Sequence, residues 1–334
     1  MNVQTYHAAG MFTTGLRWVT GWTYFSAFWR RLVLENKLNP DEAGYIGEKF
    51  NHFLPNALGI KPLIENLVSN PESLWWAMLI FTIVEGVVGL LFMLGLLTRL
   101  MSIGVFCLAL GILLGAGWLG TTCLDEWQIG VLGVAAGFTI FISGGGKYSV
   151  DAYLLRKDFF VKEWSVWLGS GLLPIREKVL SRIVLTGSLL IIALTLFTNQ
   201  YFHGGVYGRL HNPSVKPHVT ISDARMVNDS LLFTVFRDEG ADVYGSFLIG
   251  IKLKDEKGNI VFEQTQDQLA ALTEEQIKNV YVAKVKAGKH SLVLPLGAKA
   301  DIVFANDVFR QLKGRYIIEL LDISGASWKQ QIVR

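Results

Sequence analysis

The 334-residue chain has only two cysteines, Cys107 and Cys123, standing sixteen positions apart. On one continuous helix that spacing is about 24 Å, which excludes a disulfide between them. No CxxC pair, no CxxCH haem attachment and no His/Cys cluster with zinc spacing is present. There is no GxGxxG or Walker loop either, so neither a flavin, haem or metal motif nor a nucleotide cofactor is expected. Charge is scarce, at 18% of residues, and the formal net charge of +3 is spread evenly. That excludes the basic footprint of a nucleic-acid partner. The first eleven residues lack the basic start of a signal peptide, and no small-residue cleavage site follows, so the first apolar run is expected to be retained. Internal repeats and low-complexity segments are absent as well.

What the chain does have is apolar length. Hydrophobic residues make up 51% and mean hydropathy is +0.36, the profile of a membrane protein with a soluble part. Membrane spans are expected over residues 12–34, 74–97, 100–119, 127–143 and 183–199. Arg17 lies near one end of the first span, with Arg30 and Arg31 near the other, where each can snorkel or face a polar cavity. Glu85 falls near the middle of the second span. A carboxylate there costs about 2.5–3.5 kcal/mol, so it should face the bundle interior and either have a partner or be protonated. It reads as a structural hydrogen bond or as a proton acceptor or quinone contact. Gly86, Gly89 and Gly95 let helices approach closely, and Cys107 reads as a packing thiol.

The polar segments carry the remaining chemistry. Residues 35–73 form a lid whose centre, 43–53, predicts a short amphipathic helix with Tyr45, Ile46, Phe50 and Phe53 on one side, lying over the membrane surface. His52 is on it. The turn over 117–128 holds Cys123 beside Asp125 and Glu126 and between Trp118 and Trp127. It reads either as a reactive site or as a Trp-flanked polar turn at the lipid interface. Gly144, Gly145 and Gly146 are not followed by the GK[ST] of a phosphate loop and predict a helix C-cap.

The basic stretch between Lys147 and Arg182 predicts a cytoplasmic loop, which puts the lid, the Cys123 turn and everything after residue 199 outside. A linker with Arg209 and His211 leads to period-two runs over 230–236, 244–254, 259–264, 290–294 and 315–322. Thr273 with Gln276 predicts a helix start. The fold class is therefore a four-helix membrane core with a fifth transmembrane helix, followed by an all-β, sandwich-like domain. Its layout is a membrane domain over 1–155, a loop over 156–181, the fifth helix over 182–199, the linker over 200–217 and the β domain over 218–334.

Residues 11–155 resemble the DoxD family through Arg17-Trp18 and Gly21-Trp22, the segment from Glu85 to Arg99, the 117–128 turn, and the 144–151 stretch that ends at Asp151. Residues 200–334 look like the DoxA family through the Gly204 to Pro213 linker and the β-rich remainder. The resemblance implies a thiosulfate:quinone oxidoreductase of the cell membrane that oxidises two thiosulfates to tetrathionate and passes two electrons to a membrane quinone. The DoxA-like half narrows this, because the DoxD-like group does other things too. The implied partners are thiosulfate, quinone and the lipid bilayer, and a homo-oligomer is left open.

No site is carried over from the family; the residues themselves suggest roles. Cys123 would bind a sulfane sulfur covalently, with Asp125, Glu126 and Glu85 relaying protons. Arg30, Arg31, His52, Arg209 and His211 would offset the dianions' charge, and Trp22, Trp118, Trp127, Arg17 and Arg99 would line the quinone. Two carboxylates beside a thiol raise its pKa and repel a dianion, so either a cation, for which Arg30 or Arg31 is the candidate, sits between them or Asp125 and Glu126 point away. Noncovalent binding of thiosulfates by arginines, a different sulfur donor, and a membrane-anchored binding module without catalysis are the alternatives. An intramembrane acid argues against the last.

Overall fold

The computed structural model describes residues 3–42, 44–120, 125–157, 163–242 and 245–334. Cys123 and its neighbours Thr121, Thr122 and Leu124 lie outside the described residues. The chain divides into two compact units, one of long helices and one that joins Ile46–Leu74 to Asn212–Arg334.

Apolar runs give the first unit its helices. After α1 (Val3–Phe12), α2 (Thr14–Phe28) continues directly into a π-helical turn, Trp29–Leu34. Helices α3 (Ile46–Phe53) and α4 (Lys61–Val68) belong to the second unit. Then come α5 (Pro71–Leu94), α6 (Thr98–Ala116), α7 (Asp125–Ser143), α8 (Val150–Arg156), α9 (Glu163–Leu168) and α10 (Glu177–His203). Among the described residues, α5, α6, α7 and α10 are long and apolar enough to cross a membrane. Helix α7 ends as its glycines predict: Gly144 follows it with φ +68°, the left-handed cap that exposes no Cβ.

Small residues set the helix spacing. A Cβ on Gly21 would lie 2.6 Å from Met93 Cβ and 2.8 Å from Gly89 O, so α2 and α5 touch backbone to backbone. Gly137 of α7 fits against Phe106 N and Ser102 O of α6, each 2.9 Å from its missing Cβ. Cys107 is a correction: it is exposed on α6 rather than packed.

One end of this unit is locked by buried charges. The Asp151 carboxylate accepts from Leu97 N at 2.8 Å, Thr98 N at 2.9 Å, Thr98 Oγ1 at 2.6 Å and Ser170 Oγ at 2.8 Å. Arg17 does not snorkel. It is fully buried and donates to Phe92 O at 3.2 Å, Met93 O at 2.7 Å and Tyr148 O at 2.6 Å. Arg99 is buried too, donating to Phe141 O, Val166 O and Gly171 O. Both guanidiniums donate to carbonyls of helix ends and loops, where the intrahelical ladder runs out; Phe92 O also accepts from Gly95 N at 3.1 Å.

In the second unit the strands are β1 (His218–Val227), β2 (Ser230–Glu239), β3 (Ser246–Asp255), β4 (Ile260–Thr265), β5 (Ile277–Asn279), β6 (Lys286–Ala287), β7 (Leu292–Leu294), β8 (Lys299–Ala305), β9 (Arg315–Asp322) and β10 (Ser327–Val333). They pair antiparallel in two sheets, ordered β1-β2-β8-β5 and β10-β9-β3-β7-β6 with β4 on β3. The inward residues of both sheets, Leu231, Phe233 and Val235 with Leu248, Ile251, Leu253 and Ile318, share one core. Thr273 makes its capping box with Gln276, but only a single 3-10 turn follows.

The lid differs from its sequence reading. The apolar side expected on the membrane surface is occupied by the β domain: Leu54, Ile64 and Val68, with Phe50 and Phe53, pack on Tyr281, Phe236 and Val282. Asn51 fixes the contact, donating to Gly297 O at 2.5 Å and accepting from Ala283 N at 3.2 Å.

Candidate functional site

Glu85 sits in the middle of α5, 3% exposed, and is ion-paired with Arg31. The sequence called for a partner or protonation of this carboxylate, and the π-helical turn after α2 supplies a partner, an irregularity often found at functional sites. Arg31 keeps 27% of its side chain exposed, with its guanidinium carbon 5.9 Å from the Phe81 ring centre. Arg30 is exposed, its Nε donating to Ser26 O at 3.2 Å.

Two hydroxyls that sequence reading missed belong to the same region. Thr82, one turn before Glu85 on the same face of α5, is fully buried, and Tyr24 of α2 is 3% exposed. Neither hydroxyl has a hydrogen-bond partner among the described residues. Leaving such groups unsatisfied costs about 1–3 kcal/mol each, which suits them to hold water or a ligand oxygen. The i, i+3 spacing of Thr82 and Glu85 was the available signal; nothing in the sequence marks Tyr24.

Between Glu85 and the Asp151 lock lies an apolar layer of Val88, Phe92, Val105, Leu108 and Ile140, in which Tyr24 also packs. On the outer surface Trp18, Trp22, Phe25 and Trp29 recur along one stripe of α2 and the start of the π-helical turn, with Phe25 6.0 Å from Trp22 and 5.9 Å from Trp29 between ring centres. The stripe opens into a lateral groove of about 660 Å³ lined by Trp18, Trp22, Met93, Leu94 and Tyr148.

The other expected residues fall elsewhere. Arg17 and Arg99, expected beside the quinone, are fully buried on carbonyls; Arg17 lies behind the groove and holds the carbonyls of two of its lining residues. Trp118 is likewise buried, in the second unit, where its indole donates to Phe53 O at 3.2 Å. Trp127 donates to Thr198 Oγ1 at 3.0 Å and thereby ties α7 to α10. Asp125 is exposed and Glu126 half-buried in the first turn of α7, where acids favour the helix dipole. Cys123 lies outside the described residues; just before it, Gly120 O accepts from Asn212 Nδ2 at 2.7 Å and Ser214 Oγ at 2.5 Å. Arg209 and His211 are exposed, and His211 Nε2 donates to Tyr201 O at 3.3 Å.

His52 is buried in the second unit near Lys49, Arg237 and Asp242. Burial lowers its pKa to about 4; Asp242 opposes this, and Lys49 and Arg237 add to it. The ring is therefore neutral near pH 7, which does not suit the charge-offsetting role expected of it. Lys49 pairs with Asp242 at 2.6 Å.

Long apolar helices joined to an antiparallel β domain define a membrane protein with a folded polar part. The helical portion matches the family model described as TQO small subunit DoxD over residues 12–176, and the β portion matches TQO small subunit DoxA over 202–331. The chain belongs to these two families of thiosulfate:quinone oxidoreductase subunits, joined in that order. It is an oxidoreductase of the thiosulfate:quinone type.

Proposed function

We propose that the protein oxidises two thiosulfates to tetrathionate and reduces a membrane quinone, with Glu85 as the group that hands protons to the quinone. Atoms and charge balance as two thiosulfates, one quinone and two protons giving one tetrathionate and one quinol. Thiosulfate oxidation releases no protons, so those of the quinol must be delivered by the protein. The buried Glu85–Arg31 pair is the observation that carries this reading: an intramembrane ion pair is a functional site by default. The quinone's apolar tail lies along the aromatic stripe into the groove, and its ring meets Arg31, about 13 Å further along the helix than Trp22. Arg31 steadies the charge that builds on the ring oxygen.

At the donor end the Cys123 thiolate bonds to the sulfane sulfur of the first thiosulfate while two electrons pass to the quinone. The second thiosulfate attacks that sulfur, the cysteine–sulfur bond breaks, and tetrathionate leaves with the thiolate restored. Exposure of Asp125 supports this route, since a carboxylate turned to solvent repels the dianion less. The same reading makes the protein multi-pass and puts the β domain, the lid and the 117–128 turn on the extracytoplasmic face, supported by the basic 147–182 stretch.

Purified protein given thiosulfate and a soluble quinone tests the donor half. Wild type is expected to form quinol and tetrathionate and Cys123→Ser to form neither while remaining folded. Equal turnover by both would remove the thiol from the mechanism.

A further inference from the structure

Quinone reduction takes up two protons, and the packing on the two sides of Glu85 is unequal. Toward the end of the helical unit where Leu34, Ala116 and His203 lie, Glu85 meets Arg31, itself 27% exposed, while Thr82 one turn further along α5 and Met78 beyond it are fully buried. Arg30, exposed, stands beside Arg31. Toward the opposite end, Val88, Phe92, Val105, Leu108 and Ile140 fill the bundle, each at most 8% exposed. Beyond them the Asp151 carboxylate is saturated by four donors. The titratable groups acting on Glu85 are Arg31, Arg30 and Tyr24. From α6 and α7 this region receives Val105, Leu108, Gly133 and Ile140, none of them titratable.

We infer that Glu85 exchanges protons with one face of the membrane only, the face at which the chain leaves the helices for the β domain, because its partner Arg31 is part-exposed beside the exposed Arg30 on that side and an apolar layer closes the other. This rests on the proposed reduction of quinone at Glu85. A proton cannot cross several layers of close-packed hydrocarbon without polar groups or water to carry it. Tyr24 is the inner limit of the polar groups around Glu85: its hydroxyl lies 2.8 Å from where a Gly133 Cβ would stand, and its ring is part of the apolar layer. With thiosulfate oxidised on that same face, both substrates' charges and both protons enter from one side. The reaction then moves no net charge across the membrane, and its energy leaves only as quinol.

The test uses the full chain in sealed vesicles, sorted by whether added protease reaches the β domain. A hydrophobic carbodiimide reacts with a carboxyl only in its protonated form, so labelling of the Glu85 peptide, read by mass spectrometry, reports protonation without turnover. Acidifying the compartment on the β-domain side is expected to raise labelling several-fold, and acidifying the other compartment to leave it unchanged. A response to the other compartment, or to both equally, overturns the inference. In the same vesicles, thiosulfate-driven quinone reduction is expected to make the β-domain side alkaline with no signal from a membrane-potential dye; a potential, or alkalinity on the far side, overturns it as well. Should thiosulfate fail to reduce quinone while labelling still follows the β-domain side, the substrate reading falls and the one-sided proton path stands.

Discussion

Arg31 and Glu85 depend on each other. Removing one partner of a buried pair leaves the other uncompensated, so Arg31→Ala is expected to lower stability by about 3–5 kcal/mol, read as thermal unfolding in detergent. Glu85→Gln keeps a hydrogen-bonding partner for Arg31 and should be milder for stability. For quinone reduction the order reverses: losing the proton-transfer group is expected to cut turnover about 100-fold or more. A Glu85→Gln enzyme with unchanged turnover would reduce Glu85 to a structural role. His52 gives a pH prediction. Its folded pKa of about 4 is below the unfolded value of 6.5, so the unfolded chain binds the proton first as pH falls. Stability is full above pH 6.5 and is lost between there and pH 4, by about 3 kcal/mol. His52→Gln should flatten that window in unfolding curves taken across it. The sequence marked Glu85 by its depth and called for a partner or a proton on it, yet could not choose among three arginines. That choice depends on the π-helical turn, a backbone irregularity that the apolar pattern of 12–34 does not encode.

Among elements, the long helices were legible because apolar length alone specifies them, and the expected spans agree with α5, α6, α7 and α10 to within several residues. Strands β2, β3, β4, β7 and β9 were visible from alternation. Strands β1, β5, β6, β8 and β10 were not, being short, interrupted or masked by charged residues at their exposed positions. The lid helix was legible as amphipathic, but periodicity names a face without naming what covers it, and here the covering surface is the β domain. Helix α2 meets α5 through Gly21 and Gly89. Gly21→Leu should therefore push the two helices apart, destabilising the protein by about 1–3 kcal/mol and displacing Arg31 from Glu85. Loss of quinone reduction together with a lowered melting temperature is the expected outcome; an unaltered protein would mean that the contact has slack.

For the molecule as a whole, the family pair supports an oxidoreductase of the thiosulfate:quinone type, and the buried Glu85–Arg31 pair is the place proposed for its quinone chemistry. The tryptophans and arginines expected to line one quinone site are instead spread over the groove, the carbonyl locks and the second unit. Residue type and nearness to a span end could not separate these places, since a buried arginine holding carbonyls and a ligand-binding one look alike in sequence. The central claim is tested most directly by the product ratio of the purified full chain, supplied with thiosulfate and quinone and assayed for quinol and tetrathionate together. One tetrathionate per quinol, with two thiosulfates consumed, is the predicted result. Quinol formed with sulfite or sulfate in place of tetrathionate, or no quinol from thiosulfate at all, would contradict it.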